Sequence, residues 1–281
     1  FTKINMSLAK PHFDILSKLQ NVSMMNAIQI EHLINLKSCQ DNVKKLAIFT
    51  APKCLLLLQN MDYYKNLKHL ELNDFILSSD FDEAKHFKPL RSLEALAQLE
   101  SLTLELNFTQ KNQTSMLFRN LKLPISAKRL EFTFVNVFFT SPEESELLEK
   151  DIRGFFQGSN LRDLQNLKFA FTISENFAFI NRFIKLLPTT LACLETVDFL
   201  FRTENEFDET VNLANFLLWT NNLKSLKEIT LRTTNFVVKG EGDFEIFDFP
   251  KLEYLRLSEE FGRKNILQTQ EDGGSKRIIK Y

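Results

Sequence analysis

The clearest structural signal in this chain is the stretch Leu99-Glu-Ser-Leu102-Thr-Leu104-Glu-Leu106. It reads apolar, two polar, apolar, one polar, apolar, and the alternation then continues for one more step. Apolar residues two positions apart, with polar residues between them, place one face of a β-strand in a core and the other toward solvent. The stretch therefore predicts a strand over 101–106 that buries Leu102, Leu104 and Leu106.

The same pattern recurs along the chain. Clear copies begin at Leu67, Leu226 and Leu252, and weaker copies begin at Val43, Ala127, Leu164 and Leu194. The eight starts lie 24 to 37 residues apart, and self-similarity at such a period is the signature of a repeat architecture. We therefore expect eight neighbouring parallel strands near residues 45–49, 69–73, 101–106, 129–134, 166–171, 196–201, 228–232 and 254–257.

The segments between the predicted strands have helical spacing. Ser141-Pro142-Glu143-Glu144 is a good helix start, because a Ser cap, a Pro in the first turn and a Glu three residues after the Ser each favour one. Apolar residues then recur on one helical face as far as Phe156, and similar stripes occupy 177–187 and 211–219. Alternation of strand and helix predicts an α/β fold, with a parallel sheet and helices on its other side.

On these repeats the chain resembles the leucine-rich-repeat proteins, and its repeat length is closest to the ribonuclease-inhibitor-like class. The resemblance covers about Val43 to Leu257. It implies a solenoid with a curved parallel sheet of about eight strands on the concave side and helices on the convex side. The family usually places Asn or Cys three residues after the third apolar position, where here only Asn107 fits. We therefore expect irregular loops after the strands.

The pattern divides the chain into three segments. Residues 1–42 are expected to form an N-terminal helical cap, because apolar residues from Phe13 to Leu36 recur at helical spacing, in one helix or in two with a break near Asn21. Residues 43–260 are expected to form the leucine-rich-repeat solenoid. Residues 261–281, which are polar and contain Gly273-Gly274, are expected to form a loosely held tail.

Composition narrows the classes of function. The chain has 35 basic and 36 acidic residues in 281, and a formal net charge of −1, which disfavours a nucleic-acid partner. No run of 18 apolar residues occurs, so no membrane span is expected. The three cysteines form no Cys-x-x-Cys pair, which favours a reducing, cytoplasmic location over a disulfide framework or a zinc site.

The sequence offers no pattern of catalytic chemistry. It has no phosphate-binding Gly-Lys loop, no paired-glycine dinucleotide motif and no zinc-protease or serine-hydrolase motif. We therefore expect a noncatalytic chain with no catalytic residue, no cofactor and no metal.

Two groups of residues allow a functional as well as a structural interpretation. The acidic run Glu143, Glu144, Glu146, Glu149 and Asp151 contains paired carboxylates of the kind used in acid–base catalysis, but acids in the first turns of a helix more often complement its dipole and face water. The phenylalanines at 132, 134, 169, 171, 199 and 201 resemble a stacking platform for bases. Strand alternation places them on the core side, so we expect packing.

The leading functional hypothesis is a protein-interaction or scaffolding module that binds a protein partner through the outward face of the sheet. That face carries nine basic and eight acidic residues, a mixture in which charge pattern gives specificity. One alternative is a structural subunit permanently embedded in a large assembly through its helical side. Another, which only the family resemblance suggests, is the substrate-recognition subunit of a ubiquitin ligase, with 13–36 as the adaptor-binding segment.

The expected partner-binding residues lie on the final two strands. Arg232, Tyr254 and Arg256 are predicted at outward positions there, and Tyr and Arg are enriched among the residues that dominate interface energies. Glu228 and Glu253 lie close enough in the predicted sheet to hold the arginines in place.

Overall fold

A computed structural model describes the chain over residues 20–25, 41–49, 64–76, 87–109, 112–137, 142–159, 161–173, 178–203, 211–233, 236–237, 247–249, 251–259, 267–272 and 275–280. The strands in these ranges are β1 (Asn21–Met25), β2 (Lys45–Phe49), β3 (His69–Ile76), β4 (Ser101–Asn107), β5 (Arg129–Val137), β6 (Asn166–Ile173), β7 (Thr196–Thr203), β8 (Val211–Asn212), β9 (Glu228–Thr233), β10 (Phe236–Val237), β11 (Phe247–Phe249), β12 (Tyr254–Glu259), β13 (Leu267–Asp272) and β14 (Ser275–Lys280).

Nine of these strands form one parallel sheet, in the order β1-β2-β3-β4-β5-β6-β7-β9-β12. Eight of the nine are the predicted strands in the predicted sequence order. The expected α/β fold, with a single curved parallel sheet in a solenoid-like arrangement, is therefore confirmed. Register shifts follow Leu72 in the β3–β4 pair and Phe134 in the β5–β6 pair.

Helical segments connect the strands and cover one face of the sheet. They are the 3-10 helix η1 (Lys88–Ala95) and the α-helices α1 (Gln113–Asn120), α2 (Pro142–Gly158), α3 (Ala178–Leu186) and α4 (Leu213–Asn221). Phe155 of α2 packs edge-on against Phe132 of β5, and Phe183 of α3 packs edge-on against Phe169 of β6. The apolar face of each helix thus meets the apolar face of the sheet.

Buried residues occupy equivalent positions in successive repeats. Leu70, Leu102, Leu130 and Leu167 are paired in register across β3–β6 and are at most 1% exposed, as the sequence predicts. The same expectation for Leu255 is wrong, because this residue is only partly buried against the core. It lies on β12, the last strand of the sheet, which has no further strand beside it to complete the burial.

Two rows of phenylalanine rings run across the middle of the core. Phe132, Phe169 and Phe199 make one row, with ring centroids 5.2 and 5.7 Å apart. Phe134, Phe171 and Phe201 make the second row, with centroids 5.2 and 5.9 Å apart. All six side chains are at most 1% exposed, so the prediction that they pack in the core, and do not form a stacking platform, is confirmed.

A turn before each of β4, β6, β7 and β9 extends the repeat beyond the pattern recognised in the sequence. The N–H of Leu99 donates to the carbonyl of Leu96 over 2.9 Å, and the N–H of Leu164 donates to that of Leu161 over 3.1 Å. The pairs Leu191/Leu194 and Leu223/Leu226 repeat the arrangement. All eight leucines are buried, so the full phrase in these repeats is Leu-x-x-Leu-x-x-apolar-x-apolar.

Polar side chains before β3, β5 and β9 bond their repeats to the preceding ones. The hydroxyl of Ser126 donates to the carbonyl of Leu99 over 2.8 Å, and that of Ser225 donates to the carbonyl of Ala192 over 2.7 Å. The side-chain amide of Asn66 donates to the carbonyl of Asp41 over 2.6 Å. These bonds fix the spacing of neighbouring strand starts.

The N-terminal expectation needs a correction. Asn21–Met25 is a strand, not a helix, and its Val22 and Met24 pair in register with Leu46 and Ile48 of β2. This strand has the polar–apolar alternation of the other repeats. Because it has only five residues, the sequence alone does not separate it from the surrounding residues at helical spacing. The remainder of the segment 13–36, including most of the adaptor-binding candidate, lies outside the described residues.

The C-terminal expectation also needs a correction. β13 and β14 pair as an antiparallel hairpin in which Asp272 lies opposite Ser275, and β14 also pairs with β11. A loosely held tail is therefore wrong for 267–272 and 275–280. The Gly-Gly sequence at 273–274 is a known signal for a two-residue hairpin connection, and it was available in the sequence.

Candidate binding surface on the outward strand face

The outward side chains of the parallel strands line up in rows, because neighbouring strands pair residue by residue. We call this side of the sheet the strand face. One row runs from Lys45 on β2 through His69, Ser101, Arg129, Asn166, Thr196 and Glu228 to Tyr254 on β12. The next outward row runs from Ala47 through Glu71, Thr103, Glu131, Lys168, Asp198 and Thr230 to Arg256.

A groove of about 840 Å³ lies on the strand face over β2–β6. We call it the strand groove. Charged and hydroxyl side chains from the two outward rows line its walls, among them Glu71, Thr103 and Lys168, and the half-buried Phe49 lines one end. The groove places side chains from five repeats around one space, which is large enough to receive a segment of another molecule.

Ion pairs join charged side chains in the groove, both between neighbouring strands and within β5. Lys45 Nζ lies 2.6 Å from Glu71 Oε1. Glu131 receives the guanidinium of Arg129 and also lies 3.8 Å from Lys168 Nζ. These side chains are partly exposed, so each pair contributes little to stability. Their effect is to hold charges at fixed positions on the face.

The strand starts form a further charged row, which is supported by the backbone. The carbonyl of Glu100 accepts two bonds from the next repeat, 2.8 Å from Lys128 N and 3.0 Å from Arg129 N. The same double acceptance occurs at each of the eight junctions between neighbouring strands of the sheet. The accepting carbonyls belong to Gln20, Lys44, Lys68, Glu100, Lys128, Gln165, Glu195 and Lys227. The backbone that carries the charged side chains of this row is therefore held in place by regular hydrogen bonds.

Glu100 is the most strongly engaged carboxylate of that row. Lys68 Nζ donates to it over 3.0 Å, and Lys128 Nζ lies 4.0 Å away. The hydrogen bond from Lys68 lowers the pKa of the Glu100 carboxyl below its ordinary value of 4.5, and the charges of Lys68 and Lys128 act in the same direction against the opposing effect of desolvation.

This pKa shift predicts a pH-dependent contribution to stability. A carboxyl whose folded pKa is lowered stabilises the fold above the unfolded pKa, here about 4.5, and the contribution disappears as the pH falls through the folded value. Glu100→Gln should therefore lower the free energy of unfolding at neutral pH by less than about 1 kcal/mol, because the pair is exposed. Urea unfolding should show a smaller difference between the wild type and Glu100→Gln at acidic pH than at neutral pH.

The matched control is Glu105→Gln, on the same strand. Glu105 forms no ion pair with any residue that the structure describes, so its difference from the wild type should not follow the same pH course. A Glu100→Gln difference that persists unchanged at acidic pH would contradict the assignment.

The residues predicted for partner binding lie at the far end of the strand face from the strand groove. Tyr254 on β12 pairs in register with Glu228 on β9, and Arg256 pairs with Thr230. Tyr254 is 50% exposed, and Arg256 and Glu228 are also exposed. Glu253 immediately precedes this cluster, so the structure brings these four residues together.

Arg232 has a different partner from the one expected. Its guanidinium donates to both oxygens of Asp198 on β7, over 2.8 and 3.1 Å, in place of Glu228 or Glu253. The in-register pairing of β7 with β9 places Arg232 beside Leu200 and brings its long side chain within reach of Asp198. Arg232 is thereby directed toward the centre of the sheet.

The position of the strand groove over β2–β6 was not predicted from the sequence. The signal was present, because Lys45, Glu71, Arg129, Glu131 and Lys168 all occupy outward positions of consecutive repeats. Which of those repeats enclose a groove depends on the curvature of the sheet, which the repeat pattern does not encode.

Two members of the acidic run on α2, Glu149 and Asp151, bond α2 to neighbouring helices. Asp151 is buried and accepts hydrogen bonds from the hydroxyl of Ser115 and from the guanidinium of Arg119, the latter over 2.9 Å. Glu149 bonds to Arg182 of α3 over 2.7 Å. The prediction that the whole run faces water is therefore wrong at Asp151, whose carboxylate bonds α2 to α1.

The described part of the chain lacks two further kinds of feature, a metal-binding cluster and a membrane-spanning helix. Within it, no group of three or more His, Cys, Asp or Glu side chains is arranged to hold a metal ion. None of the described helices combines the length and the apolar character that crossing a membrane requires.

The helical side exposes few large apolar side chains in the ranges the structure describes. Leu147 on α2 and Leu218 on α4 are exposed, as is Ile125 in the turn before β5. Among the helical phenylalanines whose burial the structure describes, Phe118, Phe155, Phe156, Phe183 and Phe216 are all buried. The exposed Phe patch that would favour an embedded subunit is absent from the described residues.

The fold and the surface together define the class of this protein as an α/β repeat solenoid with a grooved, charged strand face. No protein-family model matches the chain, and no curated protein matches it at a significant level.

Proposed function

We propose that this chain is a noncatalytic protein-interaction or scaffolding module of the leucine-rich-repeat type, similar to the ribonuclease-inhibitor-like class, and that it binds a protein partner through the strand face. The strand groove is the observation that carries the proposal. Five repeats contribute side chains to it from a backbone that repeats with constant spacing, which is the kind of preorganised surface that limits the entropy lost on binding.

The extended repeat phrase supports the leucine-rich-repeat assignment. Leu96, Leu99, Leu102, Leu104 and Leu106 follow one another with the spacing of that family, and all five are at most 1% exposed. The strands that these phrases form are parallel and in sequence order, with helical segments between them. The number of cysteines is low, and Cys193 is an exposed free thiol, which supports a reducing, cytoplasmic compartment.

The charge pattern supports a protein as the partner. Cations and carboxylates are both held at fixed positions on the strand face, as in the contacts of Glu131 with Arg129 and Lys168. A pattern of both signs selects a partner with the complementary pattern and disfavours others. The exposed Tyr254 and Arg256 add the residue types that most often dominate interface energies.

The second candidate is a structural subunit embedded in a larger assembly through its helices. The exposed Leu147 and Leu218 are the observation in its favour, because obligate interfaces are more apolar than transient ones. The two candidates place the contacts on opposite sides of the sheet, so matched substitutions separate them.

Changing both Tyr254 and Arg256 to Ala should weaken binding to the purified partner at least about tenfold, or about 1.4 kcal/mol. Both side chains are exposed, so the fold should be unaffected. The partner is first identified by affinity purification with mass spectrometry, and calorimetry with the purified pair then measures the affinity.

The control for this prediction is the double variant Leu147→Ala and Leu218→Ala on the helical side. It should bind the same partner with unchanged affinity. Normal binding by the Tyr254/Arg256 variant, together with loss of binding in the helical variant, would overturn the strand-face proposal in favour of the embedded subunit.

A further inference from the structure

The charges at the strand starts are unevenly distributed along the sheet. For each strand we compare its first residue and the residue before it. Over β2–β5 these positions carry five cations, Lys44, Lys45, Lys68, Lys128 and Arg129, and one carboxylate, Glu100. Over β7, β9 and β12 they carry one cation, Lys227, and three carboxylates, Glu195, Glu228 and Glu253. We call the five cations of β2–β5 the basic rim.

The carboxylates near the basic rim do not neutralise it. Lys68 and Lys128 share Glu100, at 3.0 and 4.0 Å. Arg129 shares Glu131 with Lys168. Lys44 is exposed and forms no ion pair with a residue that the structure describes. The rim therefore keeps a surplus of positive charge, which attracts carboxylates from solution.

The spacing of the basic rim fits an extended peptide. Three inter-strand spacings of about 4.8 Å separate β2 from β5, a distance of about 14 Å. An extended chain advances about 13 Å in four residues and returns its side chain to the same face. Two acidic residues four positions apart therefore reach the cations of β2–β3 and of β5 at once.

The carboxylates beside the basic rim favour a peptide over a nucleic acid as the ligand. Glu71, Glu100 and Glu131 lie in contact with the rim cations. A nucleic-acid backbone presents a negative charge at every step and would lie against these carboxylates, whereas a peptide places its charges only where the cations are.

We propose that the basic rim binds an extended acidic segment of the protein partner, with two carboxylates four residues apart that contact β2–β3 and β5. This inference rests on the proposed function of the strand face and specifies the chemistry of what that face recognises.

The test measures fluorescence anisotropy of labelled peptides with the full chain. The probe is a peptide of about twelve residues with two Glu four positions apart in a Gly/Ser background, and the comparison peptide has Lys at the same two positions. The Glu peptide should bind, the Lys peptide should bind at least about tenfold more weakly, and high salt should weaken the Glu peptide's binding.

Matched variants locate the binding. The double variant Lys68→Gln and Lys128→Gln should bind the Glu peptide about tenfold more weakly, which corresponds to about 1.4 kcal/mol. The control is Lys227→Gln, because Lys227 lies in the same row and its ion pair with Glu195 matches that of Lys68 with Glu100, at 3.0 Å in both cases. This control should bind as the wild type does.

Several outcomes would overturn the inference. They are equal binding of the Lys peptide, tighter binding of a single-stranded RNA of similar length, or unchanged binding by a folded Lys68/Lys128 variant. The proposed function is judged separately with the purified partner. If that partner requires Tyr254 and Arg256 but no acidic peptide binds, the basic-rim inference fails and the strand-face function stands.

Discussion

Replacing Phe169 with alanine should lower the free energy of unfolding by about 3–5 kcal/mol. The ring is fully buried and lies 5.2 Å from Phe132, 5.0 Å from Phe183 and 5.7 Å from Phe199, centroid to centroid. It therefore joins three strands and a helix, and its removal leaves a cavity that these elements cannot close without breaking the register of the sheet.

Urea unfolding, followed by the fluorescence of Trp219, provides the measurement. Trp219 is the single tryptophan of the chain and is stacked on Phe199, with its indole N–H 3.1 Å from the carbonyl of Pro188, so its signal reports on the core. The control is Phe49→Ala, on the half-buried strand-face position, which should cost less. An equal cost for the two variants would show that the Phe rows do not hold the core together.

Leu102→Ala and Leu167→Ala should each cost about 2–5 kcal/mol. Both side chains are at most 1% exposed. Leu102 lies between Leu70 and Leu130 of the neighbouring repeats, and Leu167 lies between Leu130 and Val197. Deleting either one removes apolar contacts on both sides, since a solenoid core continues from repeat to repeat.

Leu255→Ala provides the matched comparison, because Leu255 fills the same position in the last repeat but is only partly buried. Its cost should be clearly smaller. Thermal and urea unfolding of the three variants would check the order. Unchanged stability of both Leu102→Ala and Leu167→Ala would show that this row is not a continuous core.

The repeat pattern predicts most of the sheet because a strand that is buried on one face must alternate in hydropathy. This alternation correctly predicts β2–β7, β9 and β12. It fails for β1, whose Val22 and Met24 alternate over only five residues, within a longer stripe of helical spacing. It also overlooks β13 and β14, because their sequences carry too few apolar residues to show a buried face.

The binding surface is less predictable because it depends on contacts between residues far apart in the chain. Sequence alternation identifies Arg232 as outward, but its partner Asp198 lies 34 residues away and becomes a neighbour only through the register of β7 and β9. Asp151 shows the same limit, because its burial depends on Ser115 and Arg119 of another helix. The positions of the charges could be predicted, and their pairing could not.

The central claim is that the strand face, and not the helical side, binds the partner. Hydroxyl-radical footprinting of the full chain, with and without the purified partner, tests it directly because the method labels exposed side chains. We expect the partner to lower the oxidation of His69 and Tyr254 on the strand face and to leave that of Leu147 and Leu218 on the helices unchanged. Protection of Leu147 and Leu218, with His69 and Tyr254 oxidised as in the free chain, would contradict it.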